Sequence, residues 1–430
     1  MAARSGLFHL SMNFRILLAG LLLSVVEPVR ASEAASPEKL GFSGERLQRL
    51  DAVIQAQVEQ KKIAGVVLYV AREGKAVRHR GYGMGDLEAG KPMTTDAIFR
   101  IASMSKAVTT TAIMMLYEEG KLMLRDPVSK YIPEFKNSMV AVAAPDGSAE
   151  KFVTVKAKRP IQIRDLLTHT AGLTYGTGPA AELYRQAKFT GWYFADRDEP
   201  IGDVIKRLAA LPLNGQPGEV YQYGYSTDVL GYLVEVISGM PLDRFFAERI
   251  FGPLKMVDTS FFLPPEKAAR LVPAYGIDAK GALGRGDQGD FVTGPRKCFS
   301  GGAGLLSTAG DYARLLQMFL NEGELDGARL LSPKSVELMR ANHTGTKYAG
   351  DTGAFGLGFW VMPDVGAFGE LGSVGSYGWG SAYFPQYVVD PKEKIVALLM
   401  TQLRPAGGND LNQKFKVMLY QALIPPSAGK

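Results

Sequence analysis

The sequence predicts an α+β fold: an antiparallel sheet built from both ends of the chain, flanked by helices, with a mostly helical region between. Strand patterns occur early, in "GVVLYVAREGKAVRHRGYG", and return late, in "GLGFWVM", "SYGWGSAYFPQYVVDP" and "KIVALLMTQ". From about residue 103 to 330, apolar residues recur mostly at helical spacing between Gly and Pro loops. Strict alternation of strand and helix is absent, which argues against a doubly wound parallel sheet or a TIM barrel.

Each element follows in order. Arg15 precedes the apolar stretch from Ile16 to Val26, and Val29-Arg30-Ala31 offers a small-x-small cleavage site. That stretch is too short to span a bilayer, so residues 1–31 are expected to be a signal peptide, with Met12 as a second possible start. The alternative is a hydrophobic first helix of the fold. The expected location is secreted or periplasmic, with no stable membrane anchor once the signal is removed. Residues 32–430 are expected to form a single domain. Leu47, Leu50, Val53, Ile54 and Val58 then mark an amphipathic helix. Two strands follow around a Glu73-Gly74 turn. Residues about 120–330 form the inserted helical region. After the late strands, Leu411, Phe415, Leu419 and Ala422 mark a closing helix.

Composition narrows the chemistry. The 430 residues carry 49 basic and 43 acidic side chains, a formal charge of +6, without a Lys/Arg run that would track phosphates; no nucleic-acid partner is expected. The single cysteine, Cys298, rules out an intramolecular disulfide and reads as a buried small hydrophobe. Four histidines, none at ligand spacing and none in an HExxH motif, argue against a zinc hydrolase, and neither metal nor cofactor is expected. There is no GxSxG elbow and no P-loop; the Gly-rich "SGGAGLLSTAGD" reads as a loop.

What remains is serine with lysine. An SxxK pattern occurs at Ser36, Ser103, Ser148 and Ser427, and only Ser103 opens a long helix. That helix places Val108, Ala112, Met115 and Leu116 on one side, with Gly120 as its C′ residue. Residues at i and i+3 share a helix face, so Lys106 can reach the Ser103 hydroxyl. The free N–H groups of a helix start favour an oxyanion forming there, and apolar flanks help Lys106 accept a proton. The motif alone leans towards Ser103 as a helix cap and Lys106 as a solvated first-turn residue. A second stretch, "PGEVYQYGYSTDVLGYLVEVISG", brings Tyr223 to a helix entry. There it is either an ordinary aromatic or a phenol poised beside a lysine to act as a base.

With these stretches the chain resembles the serine β-lactamase and penicillin-binding-protein superfamily, and within it the class C β-lactamase-like branch that includes family VIII carboxylesterases. The further matching pieces are "IQIRDLLTHTAGL", "GGAGLLSTAGDYARLLQMFLNEGELDG" and "GSYGWGSAYFPQYVVDPKEKIVALLMTQ". The resemblance implies an α/β sandwich of the β-lactamase/transpeptidase type. It implies Ser103 as the acylated nucleophile, Lys106 as its partner in deprotonation and Tyr223 as general base and acid. It places the oxyanion between the backbone N–H groups of Ser103 and Ala382, and Tyr225, Trp379, Gly380 and Ser381 against substrate. Two departures stand out. Tyr225 replaces the asparagine of the Tyr-x-Asn motif. Trp379-Gly380-Ser381 occupies the Lys-Thr-Gly position, leaving no lysine to hold a substrate carboxylate. His169 in "LLTHTAGL" reads as structural. The expected function is a short-chain carboxylesterase acting through an acyl-enzyme on small-molecule esters, with weak β-lactam cleavage beside it. The alternatives are a β-lactamase or D-alanyl carboxypeptidase on the same machinery, and a non-catalytic ligand-binding protein on this fold.

Overall fold

The computed structural model describes residues 36–144 and 152–425; residues 1–31, expected to be a signal peptide, lie outside the described residues. Helix α1 (Gly44–Glu59) starts at Ser43, whose side chain accepts the Arg46 N–H at 3.2 Å. Two strands follow, β1 (Gly65–Arg72) and β2 (Lys75–Asp86), joined by Glu73 and Gly74, both at positive φ. That is the type I′ geometry that matches strand twist in a two-residue hairpin. The sheet is completed by β3 (Lys91–Pro92) and the late strands β4 (Ala354–Phe355), β5 (Trp360–Val361), β6 (Tyr377–Gly380), β7 (Gln386–Asp390) and β8 (Ile395–Met400). Its order is β4-β5-β6-β7-β8-β1-β2-β3, antiparallel throughout. The first strands thus pair with the last, as the two-ended strand pattern predicts.

Both faces of the central strands are buried. Val66, Leu68 and Val70 of β1, with Ile395, Ala397 and Leu399 of β8, pack against Leu47, Leu50 and Ile54 of α1 and Phe415 and Leu419 of the closing helix (Leu411–Tyr420). Val67, Val396, Leu398 and Met400 point the other way, into the larger core. The period-2 alternation therefore serves two hydrophobic layers, each buried Leu, Ile or Val contributing about 1.5–3 kcal/mol.

Helix α2 (Ser105–Glu118) lies in that larger core. The sequence predicts an amphipathic helix, but every residue from Ser105 to Leu116 is buried. The physical reason is its central place: helix α3 (Ser226–Ser238) packs against it, and the polar residues on its remaining sides are satisfied internally. Thr109 donates to the Gly301 carbonyl (2.7 Å) and Thr111 to that of Ala107 (2.8 Å). The stretch from 120 to 330 holds helices but also three small antiparallel ribbons among the described residues, Met139–Ala143 with Phe152–Lys156, Tyr275–Ile277 with Leu283–Arg285, and Glu324–Leu325 with Ala328–Arg329. Cys298 is buried and free.

Candidate active site

Ser103 lies not in α2 but on the single turn Ala102–Met104 before it. The strand Phe99–Arg100 leads into this turn and is held by pairing with Leu306–Ser307. Ala102 adopts φ +37°, a region that residues with side chains avoid. From Ala97 to Leu116, Ser103 is the one residue that is not buried. The fold thus turns a single hydroxyl out of an otherwise closed segment.

Lys106 is fully buried beneath it. Its Nζ lies 3.5 Å from Ser103 Oγ, 3.3 Å from the Tyr175 hydroxyl and 2.7 Å from the Gly302 carbonyl oxygen. It also stands over the Tyr223 ring, 4.8 Å from the centroid. The sequence-predicted trio of Ser103, Lys106 and Tyr223 therefore converges.

Tyr223 is fixed from three sides. The Gln222 N–H donates to the His169 carbonyl (2.7 Å), and the His169 ring lies 4.6 Å from the Tyr223 ring. The Gly224 backbone packs directly on Leu173 and Thr174. Trp379 Nε1 donates to the Tyr223 hydroxyl at 3.4 Å. His169 is buried, and burial followed by the nearby Lys106 charge holds its imidazole neutral, well below its ordinary range. His169 thus supports Tyr223 by packing.

Strand β6 is third from one end of the sheet, not at its edge. Its last residues, Trp379 and Gly380, run past the two-residue strand β5 and pair only with Tyr387 and Gln386 of β7. Trp379 sits among aromatics, 5.2 Å from Phe355 and 5.7 Å from Tyr223 between ring centroids. Ser381 caps the turn that follows, its Oγ accepting the Tyr383 N–H at 3.3 Å. Ala382 packs with Ala102, Ala303, Tyr383 and Trp192 in one small cluster. A cavity of about 900 Å³ is lined by Trp192, Tyr193, Tyr383 and Arg404, among others. Tyr383 and Trp192 belong to both cavity and cluster, while Ser103, Lys106, Tyr223 and Trp379 do not line the cavity.

Tyr225, expected against substrate, is placed elsewhere. It is fully buried, stacked on Phe194, and its hydroxyl donates to the Gly191 carbonyl (2.6 Å) and accepts the Gly191 N–H (3.3 Å). It props the loop beside the site from within the core.

Two contributors escaped the sequence reading. Tyr175 lies just beyond the "LLTHTAGL" stretch and meets Lys106 across 69 residues of sequence. Burial, then the neighbouring Tyr223 and Asp228, push its hydroxyl well above the usual phenol range, so it stays protonated. Gly302 belongs to the Gly-rich stretch read as a plain loop; its role is a carbonyl, which no side-chain pattern announces. Among the described residues no cluster of His, Cys, Asp or Glu is arranged to hold a metal ion.

Comparison with known proteins identifies the family. The Beta-lactamase family model matches residues 50–420. Esterase EstB of Burkholderia gladioli is 32% identical over 402 residues, covering 87% of this chain and 95% of EstB. A putative D-alanyl-D-alanine carboxypeptidase of Escherichia coli O157:H7 is 29% identical over 422 residues, covering 91% of this chain and 90% of the relative. Among solved structures, EstCE1, described as a hydrolase with promiscuous acyltransferase activity, superposes with a TM-score of 0.75 at 27% identity, covering 87% of this chain and 99% of EstCE1. The chain belongs to the Beta-lactamase family and is a serine hydrolase of that family.

Proposed function

We propose that this protein is a carboxylesterase for short-chain esters of small molecules, with Ser103 as nucleophile. In acylation the Ser103 oxygen bonds to the ester carbonyl carbon, and its proton passes to the Lys106–Tyr223 pair. The oxyanion is received by the backbone N–H groups of Ser103 and Ala382. When the C–O bond to the alcohol breaks, the pair returns the proton to the leaving oxygen. Water then attacks the acyl-enzyme, regenerating Ser103 and releasing the acid.

The observation that carries this reading is the one part-exposed hydroxyl of its segment, Ser103, over the buried Lys106 amine, with Trp379 against Tyr223 where related lactam-binding enzymes carry a lysine. The likeness to EstB supports ester substrates. The likeness to a putative D-alanyl-D-alanine carboxypeptidase supports the second reading, a lactamase or peptidase. Trp379 weighs against it, because its indole offers no positive charge to a substrate carboxylate and an apolar wall to an acyl or alcohol group. The acyltransferase description of EstCE1 supports a third outcome, transfer of the acyl group to an added alcohol in place of water.

The deciding experiment compares kcat/KM for p-nitrophenyl acetate and nitrocefin on one preparation, with Ser103→Ala as control. Ester turnover is expected to exceed nitrocefin turnover at least a hundredfold and to vanish in the variant. Ester turnover retained by a folded Ser103→Ala protein overturns the assignment of the nucleophile. We further propose a secreted or periplasmic location, supported by the Arg15 and Ile16–Val26 pattern; cell fractionation tests it.

A further inference from the structure

One buried carboxylate near the site is not used by the mechanism above. Asp228, in the first turn of α3, is 1% exposed. Its Oδ1 accepts the Ser300 hydroxyl at 2.5 Å and the Gly302 N–H at 3.1 Å. Its Oδ2 makes no hydrogen bond among the described residues. Gly302 is the residue whose carbonyl accepts Lys106 Nζ at 2.7 Å. Asp228 and Lys106 therefore grip the same residue from its two polar ends.

The turn between them is tightly built. Ser300 Oγ also accepts the Ala303 N–H at 3.0 Å, Thr109 of α2 donates to the Gly301 carbonyl, and the Leu305 N–H donates to Ser105 Oγ at 3.0 Å. A Cβ on Gly302 would lie 2.6 Å from Asp228 Oδ2, so only glycine lets the carboxylate approach. This matters for the amine. A neutral lysine has two N–H bonds and one lone pair. With the N–H bonds directed at Gly302 and Tyr175, the lone pair is left facing Ser103.

We propose that Asp228 is a positioning residue for Lys106, acting through the Ser300–Gly302 turn it anchors and through its own buried charge. The turn aims the amine, and the buried carboxylate interacts electrostatically with it. Burial raises the Asp228 carboxyl above its usual range, while Ser300, the Lys106 charge and the Gly302 N–H draw it back. The other titratable groups facing this pair are neutral near pH 7. His169 is held unprotonated, and burial raises Tyr175, Tyr225 and Cys298. The remaining charges reaching them are Arg197, which lies over Phe194 and Phe189 and pairs with Glu199 at 3.3 Å, Glu199 itself, and Glu235.

The inference rests on Lys106 acting in deprotonation, and the test separates the two claims. Asp228→Asn keeps an Oδ1 acceptor for Ser300 and Gly302 and loses no bond at Oδ2. For p-nitrophenyl acetate between pH 5 and 9, the acid limb of kcat/KM is expected to move down by about one pH unit. An active Asp228→Asn with its limb unmoved, or moved up, overturns the charge role. If that variant does not fold, Ser300→Ala decides: kcat is expected to fall ~3- to 10-fold at unchanged KM, with recovery in Ser300→Thr, and an unaltered kcat overturns the proposal. Full turnover by Lys106→Ala instead removes the base itself, leaving nothing for Asp228 to position.

Discussion

Trp379 Nε1 donates to the Tyr223 hydroxyl across 3.4 Å, tying the end of β6 to the loop before α3. The bond is long for an N–H···O contact, so its worth lies at the low end of the usual range of about 0.5–1.5 kcal/mol. Trp379→Phe, which keeps an aromatic wall, is expected to lower kcat/KM for short esters only ~2- to 5-fold. Trp379→Lys introduces an ammonium beside Tyr223 and the substrate. It is expected to raise the nitrocefin-to-ester ratio of kcat/KM at least tenfold. Measuring both substrates on both variants checks the claim; an unchanged ratio in Trp379→Lys removes Trp379 as the origin of the ester preference.

Tyr175 gives the Lys106 amine its second acceptor while its ring packs 4.8 Å from that of Tyr225 and 5.7 Å from that of Tyr223. Tyr175→Phe removes the oxygen and retains the packing. The expected result is a fall in kcat of about tenfold, with KM and melting temperature little changed. Because the hydroxyl stays protonated over the working range, the alkaline limb of the pH profile is expected to stay in place. A kcat equal to that of the parent enzyme makes Tyr175 a packing residue alone.

His169 couples the site to stability. Burial holds its imidazole neutral well below the ordinary value of 6.5, with the Lys106 charge adding to the effect. The unfolded chain takes up this proton more readily than the native one. Stability from neutral His169 is thus complete above about pH 6.5 and is lost as pH falls, by up to ~1.4 kcal/mol per unit. His79 and His343, also lowered mainly by burial, act in the same direction. His169→Asn, which tolerates the φ of +53° found there, is expected to flatten the decline between pH 6.5 and 5. Urea unfolding at several pH values measures the slope, and an equal slope in the variant assigns it to the other two histidines.

The legible parts of this protein were those written in repeating or local patterns. Leu47, Leu50 and Ile54 announce α1 because a helix repeats its buried face. Glu73-Gly74 announces a hairpin because few residues accept its backbone angles. Ser103, Lys106 and Tyr223 were legible because their spacing and context resemble a known family. The unread parts depend on contacts between distant segments. Helix α2 looked amphipathic because Thr109 and Thr111 are polar, and nothing local shows that they bond inside the core. Tyr225 occupied a motif position that suggested substrate, yet its hydroxyl is taken by Gly191, far away in sequence. Gly302 acts through a carbonyl that every residue possesses.

Gly224 concentrates several of these dependencies in one position. A Cβ placed there would lie 2.4 Å from the Leu173 carbonyl oxygen and 2.6 Å from Thr174 Cα, both backbone atoms that cannot swing aside. Gly224→Ala therefore forces the Tyr223 segment away from the Leu173–Tyr175 segment and separates Tyr223 and Tyr175, the two phenols around Lys106. Misplacement of a reacting group by about 1 Å costs on the order of a hundredfold in rate. The expected phenotype is a kcat reduced ~100-fold, slowed labelling of Ser103 by a fluorophosphonate, and a lowered melting temperature. Gly284→Ala is the matched control, since a Cβ there meets nothing within 4 Å, and it should behave as the parent enzyme. A Gly224→Ala protein with parental kcat shows that the close approach of these two segments is not what holds Tyr223 in place.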